Sequence, residues 1–212
     1  MSVPFVIAVD GPAAAGKGTL ARRLAQHLGL PYLDTGLLYR AVGRRALDAG
    51  ADPADPVAAE AAARTLAPAD LERADLRGPV ADSAASKVAA IGGVRAALLD
   101  FQRRFGVERG AVLDGRDIGT VVFPEARLKL FVTASPEVRA HRRHAELAAR
   151  GAAPSLDEVA RDMADRDARD ANRGVAPLRP AEDAKVLDTS GLDADAVFEI
   201  ALSWAVAAQK AT

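Results

Sequence analysis

The chain has 212 residues, of which 50% are hydrophobic and 27% charged, and its 28 Lys and Arg residues nearly balance 29 Asp and Glu residues. The net charge of -1 gives no electrostatic case for a nucleic-acid or membrane partner, and the lack of cysteine excludes disulfides, thiolate zinc sites and a cysteine nucleophile. No apolar run approaches the roughly 20 residues that cross a bilayer, and no signal peptide is evident, so we expect one soluble, cytoplasmic domain over 1–212 without an obligatory protein partner.

The first 50 residues alternate predicted strands with predicted helices. The β-branched apolar run at 5–9 predicts a buried strand, and leucines spaced four apart predict a helix over 17–28 that Gly29 ends. A short second strand at 32–33 leads into another predicted helix, which Gly50 ends. This order predicts an α/β fold with a parallel sheet, helices on both faces and ligands at the carboxyl ends of the strands.

The next segment, 51–82, combines many alanines with several prolines and few bulky apolar residues, which predicts a peripheral, partly irregular insertion rather than core. Ser83 is predicted to cap a single helix that runs to about Phe105. Strands are predicted at 111–113 and 128–132. The remaining predicted elements are helices over 136–150, 156–173 and 193–210 and a strand at 186–187.

A phosphate-binding loop follows the first predicted strand. The segment from Gly11 to Lys17 matches G-x-x-x-x-G-K and precedes a helix, as that motif requires. Its backbone N–H groups and the helix N-terminus favour an anion, and Lys17 can reach the β- and γ-phosphates. The predicted ATP phosphate site comprises Gly11, Pro12, Ala13, Ala14, Ala15, Gly16, Lys17, Gly18 and Thr19. Because Gly18 stands directly after the lysine, the hydroxyl for Mg²⁺ comes one residue later, from Thr19.

Further segments carry a resemblance to a known family. The Gly-Lys-Gly-Thr variant of the loop resembles nucleoside monophosphate kinases. Residues 34–40 (DTGLLYR) resemble D-[ST]-G-x-x-Y-R of the cytidylate kinases, and residues 114–124 (DGRDIGTVVFP) resemble that family's D-G-R-D-x-G-T-V-V-F-P. Residues 166–173 (RDARDANR), followed by APL at 176–178, resemble the segment that closes its lid. The resemblance is collinear over nearly all of the chain.

The resemblance implies a P-loop kinase fold with a central five-stranded parallel sheet, an acceptor-binding insertion and a short lid. The implied core is about 1–34, 106–147 and 174–212, the acceptor-binding region about 35–105, and the lid with its flanking helices about 148–173. The implied reaction transfers the γ-phosphoryl group of ATP to CMP or dCMP with Mg²⁺.

The resemblance also implies roles for individual residues. Arg40, Arg116 and Arg173 would hold the acceptor phosphate; Ser86, Arg95 and Asp117 would read the base; Arg166 and Asp170 would contact the sugar; and Thr35 and Tyr39 complete the CMP-binding set. The implied catalytic set is Lys17, Arg116, Arg142, Arg143 and Arg173, in which Arg142 and Arg143 are lid arginines. Asp114, at the end of a strand beside the P-loop, would join Thr19 in holding Mg²⁺ through water.

Alternatives stay open for several of these residues. Taken singly, the arginines are compatible with a solvated surface, Asp114 with a simple turn, and Ser86 with ordinary helix surface. An adenylate kinase would carry D-G-[FY]-P-R where this chain has DGRD at 114–117, and a GTPase would carry N-K-x-D, which is absent. His141 and His144 lack a third zinc ligand. The insertion is also shorter than in bacterial cytidylate kinases and lacks the alternating β-branched residues of their small extra sheet, although Arg77 matches the arginine that follows that sheet.

Overall fold

The computed structural model describes residues 4–152 and 154–210, so 1–3, 211–212 and residue 153 of the predicted lid lie outside the described residues. Within them, five strands form one parallel sheet in the order β2-β3-β1-β4-β5. The strands are β1 Val6–Asp10, β2 Tyr32–Asp34, β3 Ala111–Gly115, β4 Leu128–Thr133 and β5 Lys185–Asp188. The predicted five-stranded parallel sheet is confirmed.

Helices cover both faces of this sheet. They are α1 Lys17–Leu28, α2 Thr35–Asp48, α3 Pro56–Arg64, α4 Pro68–Leu71, α5 Pro79–Val88, α6 Gly92–Arg109, α7 Pro136–Ala148, α8 Leu156–Ala171 and α9 Ala194–Lys210. Side chains alternate along β1: Ile7 and Val9 pack with α1 and α9, whereas Val6 and Ala8 face the side of α6. None of the helices that the structure describes is long and apolar enough to cross a membrane.

The segment 51–82 is more ordered than its composition indicates. It contains α3 and α4, and Ala59, Ala62 and Ala63 are buried in a second apolar cluster with residues of α2, α5 and α6. The prediction of a peripheral, partly irregular segment is therefore wrong for α3. The physical reason is that small alanine side chains fill a tight space between helices, so bulky apolar residues are not needed there.

The predicted single helix from Ser83 to Phe105 is two helices. α5 begins at Pro79, which suits the first helical position, and ends at Val88; α6 begins at Gly92. Ser83 therefore lies inside α5 instead of capping it. The missed signal is the paired glycine at 92–93, which interrupts the helical pattern.

Close helix packing places α5 beside α2. A Cβ atom added to Gly43 on α2 would lie 2.8 Å from the Cβ of Ala84 on α5, so only glycine allows this approach. α5 carries Ser86 on the face turned toward α2 and the sheet edge, where Ser86 is buried. α5 is thereby held against α2, the helix that directly follows β2.

Candidate active site

The P-loop connects β1 to α1 with an unusual backbone. Gly11 has a φ of 150° and Gly16 a φ of 90°, and a Cβ on Gly11 would lie 2.0 Å from the Val132 carbonyl oxygen of β4. Ala14 also has a positive φ, 57°, which costs a residue with a Cβ about 1 kcal/mol or more. Such turns point successive N–H groups toward one place, and the N-terminus of α1 adds its partial positive charge.

Lys17 is the cation of this loop. Its Nζ donates to the carbonyl oxygen of Pro12 at 3.2 Å, which folds the side chain back over the loop. Burial of the ammonium, with Arg116 as a second cause, lowers the pKa of Lys17 to about 7. An anion bound here would restore its charge, because a nearby negative charge favours the protonated form.

A cleft opens beside the P-loop at the carboxyl ends of β2 and β3, and its walls are rich in charge. The arginines that line it with Lys17 are Arg40, Arg77, Arg95, Arg116, Arg143, Arg166 and Arg173. The carboxylates among them are Asp34, Asp82, Asp114, Asp117, Glu146 and Asp170. Cations outnumber carboxylates, so the cleft is suited to a phosphate-bearing ligand.

Asp170 organises two arginines that the sequence predicts at the acceptor phosphate. Its carboxylate accepts from Arg116 Nε at 2.9 Å and from Arg173 at 2.6 Å. Burial alone would raise the pKa of Asp170, but Arg116, Arg173 and Arg166 outweigh burial and hold it below the ordinary value. Burial and the neighbouring Arg116 also lower the pKa of Arg166 to about 10, which reflects the crowding of guanidinium groups.

Several of the cleft residues keep unused hydrogen-bonding atoms. The Nε atoms of Arg40, Arg166 and Arg173 and the hydroxyl of Ser86 are buried without a partner among the described residues. Buried polar atoms in folded proteins are nearly always satisfied, so these donors indicate a polar ligand in the cleft.

The residues predicted to read the base come together at the far end of this cleft. Arg95 and Asp117 form a buried ion pair, and the Arg95 guanidinium lies 5.5 Å from the centre of the Tyr39 ring. Ser86 lies nearby on α5 and is buried. Burial raises the pKa of Tyr39, so the phenol stays neutral.

Asp114 ends β3 between the P-loop and β2. Its Oδ1 accepts from the Tyr32 hydroxyl at 2.9 Å, and its backbone oxygen accepts from Thr35 Oγ1 at 2.8 Å. Burial, and next the negative charge of Asp34, raise the pKa of Asp114. Oδ2 points at Gly18, since a Cβ there would lie 3.3 Å away. One carboxylate beside a phosphate loop fits Mg²⁺, which usually keeps several waters and takes one or two protein carboxylates together with substrate phosphates.

Among the residues predicted to be catalytic or to hold Mg²⁺, two are not brought into the cleft. Thr19 is exposed on α1, and Arg142 donates to the side chain and carbonyl of Thr189, both at 2.8 Å. Thr19 directly follows the cleft residue Gly18, and Arg142 directly precedes the cleft residue Arg143. Neighbouring side chains on a helix point about 100° apart, so Thr19 and Arg142 point elsewhere. The structure therefore places Gly18, not Thr19, against Asp114, and Arg143, not Arg142, in the cleft.

Thr19 and Arg142 instead line a second cavity, of about 380 Å³, on the other side of the P-loop. Its other walls are Ala15 and Gly16 of the loop and the segment from Thr189 to α9. Among residues 4–152 and 154–210, no group of three or more His, Asp or Glu side chains could hold a metal ion by itself.

Sequence reasoning missed Asp10 and Asp82. Asp10 ends β1 and accepts the N–H groups of Ile118 at 2.8 Å and Gly119 at 2.7 Å, which begin a π-helical turn, Ile118–Val122. It thus ties the P-loop strand to the loop that carries Arg116. Asp82 lies one helical turn before Ser86 on α5, and this spacing could have placed it on the same face.

A P-loop beside an arginine-rich cleft, on a five-stranded parallel sheet, defines a P-loop phosphotransferase. The gluconokinase from Sinorhizobium meliloti 1021 shares the fold, with a TM-score of 0.53 over 98% of this chain and 94% of that chain at 13% identity. A family model described as cytidylate kinase matches residues 7–206. The chain belongs to the cytidylate kinase family, and it is a kinase.

Curated relatives agree with this assignment over nearly the whole chain. The cytidylate kinase of Acidiphilium cryptum is 64% identical over 95% of this chain and 95% of its own length. The cytidylate kinase of Paramagnetospirillum magneticum is 65% identical over 93% of this chain and 95% of its own length. The predicted family is therefore confirmed.

Proposed function

We propose that the protein transfers the γ-phosphoryl group of ATP to CMP or dCMP, giving ADP and CDP or dCDP, in the cleft beside the P-loop. Family membership supports the reaction, and the convergence of arginines from separate elements on one cleft supports its place. This convergence is the observation that carries the proposal, because a phosphate clamp is the natural use of several guanidinium groups with unused donors.

The donor would be held on the P-loop side. The loop N–H groups and Lys17 bind its phosphates, and the second cavity beside Thr19 and Arg142 receives its nucleoside. This division follows from the position of the P-loop, whose residues line both the cleft and the second cavity. Arg142 then serves donor binding instead of the transferring group, which is a change from its predicted role as a lid arginine.

The acceptor would occupy the arginine-rich cleft. Arg40, Arg116 and Arg173 bind its phosphate, and Arg166 and Asp170 contact its sugar. Ser86, Arg95 and Asp117 read its base, with Thr35 and Tyr39 in the supporting wall. The Asp117 carboxylate accepts hydrogen bonds only, which suits the N4 amino group of cytosine and opposes the O4 oxygen of uracil.

Asp114 would hold Mg²⁺ through water beside the donor phosphates, and the ion would supply positive charge there. The acceptor phosphate oxygen is already a competent nucleophile at neutral pH, so no general base is needed. Lys17 and Arg143 stabilise the charge that develops between donor and acceptor, and the remaining groups hold the two substrates in line. Catalysis is therefore positioning together with charge neutralisation.

We also propose that the chain acts as one domain with the acceptor-binding region at about 35–105 and the lid at about 148–173, and that it works in the cytoplasm. The test of the function is ADP release from ATP with CMP, dCMP, UMP, AMP and GMP as separate acceptors. We expect kcat/KM to be highest for CMP and dCMP. A preference for AMP or GMP, or ADP release that no acceptor stimulates, would contradict the proposal.

A further inference from the structure

Asp82 occupies a central position among the cleft arginines. It lies in the first turn of α5, and its side chain is 16% exposed. The carboxylate accepts a hydrogen bond from Arg143 of α7 through Oδ2. Its Oδ1 lies 3.8 Å from a terminal nitrogen of Arg40 on α2 and 3.8 Å from one of Arg166 on α8. One carboxylate of the insertion thus contacts three guanidinium groups from three other helices.

These three arginines also face the substrates in the proposed function. A carboxylate and a phosphate bind a guanidinium through the same kind of charge-assisted, two-oxygen contact. Asp82 therefore competes with an acceptor phosphate for Arg40 and with the acceptor sugar for Arg166, and the buried Nε atoms of both arginines lack partners among the described residues. Arg143 is held by Asp82 and, at 2.8 Å, by Glu146, so a phosphoryl group on the P-loop would compete with these carboxylates for its guanidinium group.

We propose that Asp82 is a positioning residue that holds Arg143 away from the donor until an acceptor, with its phosphate at Arg40 and its sugar at Arg166, displaces the Asp82 carboxylate. This inference rests on the proposed function. Its consequence is that acceptor binding releases Arg143 for catalysis. Hydrolysis of ATP by water, to ADP and inorganic phosphate, stays slow as long as the acceptor is absent.

The test is Asp82→Asn, which keeps the shape of the side chain and removes its charge. We expect the KM for CMP to fall at least about threefold, because the acceptor no longer displaces a carboxylate. We also expect ADP release from ATP without any acceptor to rise at least about threefold, because Glu146 is then the one carboxylate of the pair that still holds Arg143. A merely structural role of Asp82 would instead raise the KM for CMP. It would also lower ADP release both with CMP and without an acceptor.

The matched control is Asp48→Asn. Asp48 also accepts from two arginines, Arg73 at 2.6 Å and Arg44 at 2.9 Å, but it lies outside the cleft. Its replacement should leave the KM for CMP and the acceptor-free ADP release at wild-type values. Asp82→Ser serves as a second variant, with thermal unfolding of each variant to show that it folds.

The outcomes separate this inference from the proposed function. If the wild type does not phosphorylate CMP, the proposed function fails. If the wild type phosphorylates CMP but folded Asp82→Asn and Asp82→Ser keep the wild-type KM and acceptor-free rate, or show a raised KM, only the role of Asp82 is overturned.

Discussion

Two phosphate-binding regions meet in this molecule, and they are built from different chemistry. The P-loop, residues 11–19, provides backbone N–H groups, the end of a helix and the single ammonium of Lys17. The facing wall provides guanidinium groups from α2, α6, α7 and α8 and from loops, and nearly all of these are already paired with carboxylates. A donor phosphate meets open N–H groups, whereas an acceptor phosphate must compete with ion pairs.

This difference predicts how strongly a single substitution should lower activity on the donor side and on the acceptor side. On the donor side, one cation carries most of the charge, so its loss should have a large effect. On the acceptor side, charge is shared, so each substitution should have a smaller effect that depends on the acceptor. The following experiments test this contrast.

The largest effect is expected for Lys17→Ala. The loop N–H groups can still bind the ground-state phosphates, but only the ammonium follows charge into the transition state. We expect kcat to fall about 100-fold or more, or about 3 kcal/mol of transition-state stabilisation. Steady-state kinetics with saturating ATP and CMP measures kcat.

Lys185→Ala, at an exposed lysine of β5, is the control and should keep wild-type kcat. A near-normal kcat in Lys17→Ala would remove this lysine from the reaction.

Arg173→Ala tests the acceptor wall. Loss of its charge-assisted contact should cost about 1.5–3 kcal/mol in kcat/KM for CMP, which is about 10-fold to 150-fold, while the Kd for ATP changes little. Calorimetric titration with ATP supplies the second measurement. Arg169→Ala, at an exposed arginine of α8 four positions before Arg173, should leave both values unchanged. If ATP affinity fell together with CMP activity, Arg173 would belong to the donor side. The proposed difference between the two phosphate-binding regions would then be wrong.

Asp117→Asn tests base selection within the acceptor wall. For the wild type we expect kcat/KM to favour CMP over UMP by at least about 10-fold, because an unpaired buried acceptor is costly. The asparagine can turn its NH₂ toward O4 of uracil, so the CMP/UMP ratio should fall through lost CMP activity. Since Asp117 also binds Arg95, the alternative is that it only braces the turn. Bracing predicts equal losses for both acceptors and an unchanged ratio.

The difference between the two regions also explains which parts of the site could be predicted from the sequence. The P-loop is contiguous, so the local sequence predicts α1 with its observed bounds and β1 to within one residue at each end. The acceptor wall depends on side chains that are more than 100 residues apart, and a single sequence does not show that Arg40 and Arg173 share a cleft. Only the family resemblance grouped them.

Other differences between the sequence-based expectations and the structure also have physical causes. Thr19 and Arg142 were expected beside the reacting phosphates, but each sits one helical position away from the residue that faces the cleft. A motif gives spacing along the chain, and the orientation of a helix about its own axis depends on packing. Alanine-rich α3 was expected outside the core because composition does not show how closely helices approach.

The smallest predicted effect concerns protons on the donor side. Burial, with Arg116 as a second cause, lowers the pKa of Lys17 to about 7 from an ordinary value of about 10.4. At pH 8 most of the unliganded lysine is therefore neutral, and bound phosphates should favour its charged form. ATP binding at pH 8 should take up a fraction of a proton, and ATP affinity should weaken as the pH rises from 7 to about 9. Below about pH 6 the lysine is already charged, so uptake should vanish.

Calorimetry at pH 8 in two buffers of different ionisation enthalpy measures the uptake, and Lys17→Ala should abolish it. Equal binding heats in the two buffers for the wild type would show that the ammonium keeps its proton throughout, which would make the lysine as permanently charged as the arginines across the cleft.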